Sequence, residues 1–347
     1  MLIKDLITNK VDKVIIALLG FSFCLSVLSC KNTSQRGEVL QVEVAGPGEM
    51  VCSFESIVTR LFLNDGGQIV VQTRQEPFFS VLSIDGKYPV ASFGRMGRAN
   101  GELRSVPQGV NYRKGRLQFL DQSARSFVSL SIPDGTVEAR PVPLSSGFRP
   151  MKAVEVGEML IVTGGLDEGR AAYVSPGQSV TQGEEYPFDT GSLSGISRGV
   201  TLQCDMVCAP DRQNFMIRTM ASDCFEIYSV EGKEVKRVFV NEFEYPPVIE
   251  NSRVDFQRSR AGYIRSFADD ANIYLMYSEE TYQESSSQGL VSDMIHVYDW
   301  DGRLVKTVHL PEKAGAFCVM DDYLFATLEY LDRTEVVRYD ISGMALQ

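Results

Sequence analysis

The eleven residues FGRMGRANGEL, 93–103, hold three glycines and two arginines, a composition that could cradle a phosphate. The stretch lacks the G-x-G-x-x-G and GK[ST] spacings and opens no helix. Its glycines read more simply as permitting φ > 0 and close backbone approach, with Arg95 and Arg98 as a candidate anion site. Other chemistry-bearing residues are few. The chain has two histidines, His296 in MIHVYDW and His309 in VKTVHL, too few for a ring of imidazoles around a metal. There is no G-x-S-x-G elbow. The doublets Asp269-Asp270 and Asp321-Asp322 suit turns, and calcium-loop spacing is missing. Cys204 and Cys208 have no His or further Cys at ligand spacing, so they read with Cys52, Cys224 and Cys318 as buried small hydrophobes. These residues lead us to expect no catalytic group, no metal site and no cofactor.

Of the two remaining cysteines, Cys24 lies within an apolar run and Cys30 follows it. A basic start with Lys4, Lys10 and Lys13 precedes the apolar run VIIALLGFSFCLSVL, which is shorter than the roughly 20 residues a membrane span needs. The run ends in LSVLSC, and Leu-Ser-Cys there resembles the lipobox of bacterial lipoproteins. The resemblance implies a signal peptide over 1–29, lipid on Cys30 and a polar tether over 30–37, so that the protein is held on a membrane without spanning it. Removing residues 1–29, with three Lys and two Asp, leaves 31 basic and 43 acidic side chains and a net charge of −12. So acidic a chain is expected to bind no nucleic acid. KNTSQRGE, behind Cys30, has no acidic run, which favours the periplasmic face of the outer membrane over the cell surface.

The elements that would position these residues are strands. Short apolar or alternating runs are separated by Gly, Asp and Asn turns. One turn type precedes an apolar strand: NDGGQIVVQ, RKGRLQFLD, VGEMLIVTG, PDRQNFMIR, DDANIYLMY and MDDYLFATL. The other follows a strand, with its glycine at Gly86, Gly135, Gly177, Gly232, Gly302 and Gly343. Six copies of each, strictly interleaved, predict an all-β, six-bladed β-propeller over 38–347, built of four-stranded antiparallel blades. The last repeat is short of an outer strand. The N-terminal strand EVLQVEV, 38–44, is expected to complete the last blade and close the ring.

The lipobox, the six repeats and the 93–103 stretch together resemble the six-bladed, TolB-like or NHL-like propeller lipoproteins abundant in Bacteroidetes. In that family a G-R-x-G-x-G-P-G-E segment follows the outer strand of a blade. Gly94, Arg95, Gly97, Gly101 and Glu102 match it, whereas Ala99 and Asn100 replace Gly-Pro. FGRMGRANGEL is thus expected to cross from blade one to blade two. Strand parity sends all the tight turns to one face and the long segments 95–108, 183–199, 242–262 and 279–291 to the other. Those segments carry Tyr186, Phe188, Tyr245, Phe256, Arg258, Arg260 and Tyr282, a mixture suited to an envelope protein, peptide or glycan partner. The expectation is a membrane-tethered, non-catalytic binding module. The alternative is a carboxylate- and cation-dependent propeller enzyme, lactonase- or glycan-lyase-like, with acidic side chains converging at the channel mouth.

Overall fold

Runs such as Ile69–Thr73 and Phe79–Leu82 are buried along their whole length, which a strand achieves only when both faces of its sheet are covered. The computed structural model describes residues 39–342, apart from 45, 65, 85, 87, 100, 133, 145, 146, 178, 179, 184, 211, 212 and 233. Cys30, the expected signal peptide over 1–29, the expected tether over 30–37 and Gly343 lie outside the described residues. From Leu40 onward the chain is one compact unit.

Six sheets follow one another along the chain; blades one to five each add antiparallel strands a to d in sequence order, and blade six adds a to c. Strand a is Val58–Leu63, Gln108–Arg113, Arg149–Val156, Cys204–Cys208, Arg260–Ala268 and Phe317–Met320 in blades one to six. Each of these strands touches the strand a on either side, and the last touches the first, so they form the inner ring of the propeller. Every a–b and c–d turn read from the sequence within the described residues joins its predicted pair of strands.

Blade six is closed by an N-terminal strand, but not by 38–44. The strand β2, Glu49–Phe54, pairs antiparallel with Thr334–Asp340 and supplies the missing outer strand. The strand β1, Leu40–Glu43, instead runs parallel to Leu304–Ala314 as a fifth strand on blade five. The reason is reach. Residues 55–57 are the whole link from β2 into blade one, so the strand entering the ring must be the one directly before them. The alternation of β1 then places Val42 and Val44 between blades five and six, against Val308, Leu310 and Tyr339.

Among the described residues helix is confined to two short pieces, α1 (Gly195–Thr201) and α2 (Tyr282–Ser287), the latter held by a capping box between Thr281 and Glu284. Both lie in d–a or b–c segments. The five cysteines among the described residues are free and buried.

Candidate functional site

The crossing 94–107 carries FGRMGRANGEL, and the structure explains its glycines. Gly94 and Gly101 take φ of 81° and 86°, and a Cβ on Gly97 would collide with the Glu102 carboxylate. Glu102 accepts from the Ala99 amide at 2.8 Å, while Arg104 donates to the carbonyls of Gly97 and Arg98, both at 2.9 Å. These bonds fold the loop on itself. Arg95 and Arg98 are both exposed on it.

The crossing from blade four to blade five, residues 241–259, gathers most of the remaining predicted residues. Arg260 stacks its guanidinium over Tyr245 at 4.0 Å and donates to the Glu279 carbonyl at 3.0 Å. Phe256, 45% exposed, packs on Tyr282 with ring centroids 4.6 Å apart. The Tyr282 amide donates to the Ser259 carbonyl at 2.8 Å, which ties α2 to the crossing. Arg258 is exposed but ion-paired with Glu250, so its charge is locally neutralised. Asp223 anchors the start of the crossing by accepting from the amides of Glu244 and Tyr245, each at 3.0 Å.

Tyr186 behaves differently. It is buried, with Arg170 and Arg198 over its ring at 5.2 and 5.6 Å, and burial pushes its hydroxyl up to about 12. It pins the 183–203 crossing to a buried network in which Glu226 pairs with Arg170 and, at 2.9 Å, with Arg237. Phe188 extends the same cluster to Phe243 at 6.1 Å. The rim therefore presents Phe256, Tyr282, Tyr245 and Arg260 together, while Tyr186 serves the scaffold.

The channel holds a second group of residues that sequence reasoning missed. Asp205, on strand a of blade four, is 2% exposed and meets three cations from three blades. Arg60 Nη2 donates to Oδ2 at 2.5 Å, Lys152 Nζ to Oδ1 at 3.1 Å and Arg218 Nη2 to Oδ2 at 3.2 Å. Burial alone would raise the Asp205 carboxyl, but Arg60, Lys152 and Arg218 outweigh it and hold it well below the usual range. Burial pushes Lys152 down against the pull of Asp205. The available signal was charge inside apolar inner strands: Arg60 in VTRLFL, Lys152 in RPMKAVEV, Asp205 in CDMVC and Arg265 in RAGYIRSFA.

A cation-dependent site would need several acidic side chains with free lone pairs. Among the described residues no three His, Cys, Asp or Glu gather to hold a metal, and Asp205 already accepts from three cations. His296 lies in a blade-five aromatic cluster, with Tyr277 stacked at 5.0 Å and the Tyr263 hydroxyl 3.2 Å from Nδ1. Burial pushes it down to about 4 and keeps it neutral.

The sequence matches the model of the TolB-like six-blade propeller family over residues 59–322. No curated protein sequence matches it. A candidate exported protein of Bacteroides fragilis superposes with a TM-score of 0.54 at 11% identity, covering 87% of this chain and 98% of the other. Virginiamycin B lyase of Staphylococcus aureus gives 0.47 at 11% identity, covering 82% of this chain and 96% of its own. At such identities the likeness is one of fold. Among the described residues no helix is long and apolar enough to cross a membrane.

Proposed function

Because the chain belongs to the TolB-like six-bladed propeller family, we propose that it is a non-catalytic binding and scaffolding module of the cell envelope. In this reading Cys30 is lipidated and holds the protein on the periplasmic face of the outer membrane. The loop-rich rim around the channel mouth takes an envelope protein, peptide or glycan.

The observation that carries the reading is the segregation of elaboration to one rim. Both helices, the small hairpin Ile249–Glu250 with Arg253–Val254, and the long crossings all leave by the b–c and d–a ends of the blades. Among the described residues the opposite face has only tight turns. On the elaborated face an exposed Phe256 sits on Tyr282, beside Arg260 stacked on Tyr245. Aromatic and Arg side chains fixed on a rigid frame are the residues that dominate recognition surfaces.

Crosslinking in cells, followed by purification of the full chain, tests this reading. Phe256→Ala with Arg260→Glu should reduce recovery of the envelope partner at least tenfold, and Asp301→Lys in a c–d turn should leave it unchanged. Partner recovery that survives the rim changes but is lost on Asp301→Lys would overturn it.

A further inference from the structure

The ring encloses two chambers that meet at a basic waist. Toward the rim lies a space of about 230 Å³ lined by Arg60, Arg74, Lys152, Arg218 and Arg265 against one carboxylate, Asp205. Toward the hairpin turns lies a space of about 380 Å³, walled by side chains such as Leu61, Val110, Val207, Phe267 and Val319. Arg60, Arg265 and Thr59 line both.

This concentration of positive charge stands inside a chain whose net charge is −11. Five cations line this space with Asp205, and three of them pair with it. Even with Glu329, whose field reaches Arg265 and Arg74, three positive charges are left over. The hydrogen bonds tell the same story. Arg265 Nη1 donates to the Ile264 carbonyl at 2.9 Å, but its Nε is buried without an acceptor, and so is the Nε of Arg218. Burial, with Arg218 and Arg60 alongside, pushes the Arg265 guanidinium down to about 10. Buried donors without acceptors and like charges packed together both cost free energy, which an incoming anion would recover.

We propose that the channel binds a small amphiphilic oxyanion, a carboxylate or phosphate head on an apolar body. The head sits between Arg60 and Arg265, and the body fills the chamber toward the hairpin turns. Guanidinium forks suit a flat or tetrahedral oxyanion. A space of about 380 Å³, walled mainly by apolar side chains with Arg60 and Arg265 at the waist and Asn64, Lys114 and Asp269 toward the hairpin turns, falls within the usual size of small-ligand sites. The apolar body lies on the other side of the waist from the rim, and the basic chamber between them is lined in part by Tyr282.

Equilibrium dialysis of the purified full chain tests it with three probes: decanoate, decyl phosphate and inorganic phosphate, the first two at concentrations where they are monomeric. At least one amphiphile should bind saturably and at least tenfold more tightly than inorganic phosphate. Arg265→Met should weaken that binding at least tenfold. Ala268→Phe, which fills the apolar chamber, should weaken it at least tenfold and change phosphate binding less than twofold. If Arg265→Met does not fold, as read by circular dichroism, the Ala268→Phe comparison decides alone. Absence of saturable binding, inorganic phosphate binding as tightly as the amphiphiles, or an Ala268→Phe variant that binds like the native protein would each overturn the proposal.

Discussion

At the scale of single residues, the Asp205 hub makes the sharpest demand. Three cations from separate blades converge on one buried carboxylate, so removing its charge leaves all three without their counter-ion. Asp205→Asn should destabilise the protein by about 3–5 kcal/mol, as loss of one partner from a buried ionic group does, readable in urea unfolding at pH 7. Titration separates this residue from His296. The folded pKa of Asp205 lies below its unfolded value, so its stabilisation is present above about pH 4 and is lost as pH falls through the folded value. His296 is depressed from 6.5 to about 4, so the unfolded chain takes up its proton first and stability declines between those values as pH falls. His296→Phe should flatten the melting temperature between pH 6.5 and 4 by an amount worth no more than about 2–3 kcal/mol, discounted for partial exposure, and leave the steeper fall below pH 4. An unchanged slope between 6.5 and 4 would contradict the burial argument. None of the hub was visible as a unit in the sequence, where Arg60 and Asp205 stand 145 positions apart. Each looked like a stray charge in a strand, because only ring closure brings the inner strands together.

At the scale of elements, turn chemistry made the blades legible, and the same chemistry was silent at the seam. Glycine and aspartate turns marked each a–b and c–d hairpin because tight reversals restrict which residues fit. The two N-terminal strands have no such mark. LQVE and EMVCSF are both short and no turn glycine joins either to its partner, so composition alone could not say which one closes blade six. The pairings separate them clearly. Deleting residues 39–44 should remove a parallel fifth strand and the burial of Val42 and Val44, costing about 3–5 kcal/mol, while the ring stays closed. Replacing Val51 and Cys52 with Asp should abolish cooperative unfolding, because it places charge inside the closing strand. If the deletion proves worse than the double substitution in thermal melts, the assignment of the closing strand is wrong. Gly262 marks another seam. At φ 59° its Cβ would meet the Ser222 carbonyl, where blades four and five touch, so Gly262→Ala should lower the melting temperature by several degrees.

For the whole molecule, the central proposition is a tethered propeller that works through one rim. The tether has its own test: Cys30→Ala should move the protein from the membrane to the soluble fraction, or block its processing, and should abolish metabolic acyl labelling. A variant that fractionates and labels like the native protein would remove the lipid from the account. That the long segments gather on one face was readable from strand parity and loop length. The division of labour within the rim was not, because burial decides it: Tyr186 pins a crossing while Phe256, three positions from a buried Ser259, faces solvent. Photocrosslinking from single positions asks the central question most directly. A photoreactive residue is placed at Phe256 on the rim or at Asp301 on the turn face of the full chain, and crosslinked partners are compared in intact cells. A discrete partner captured from position 256 and not from 301 is the predicted result. The same partner captured from 301, with none from 256, would contradict the placement of the working face.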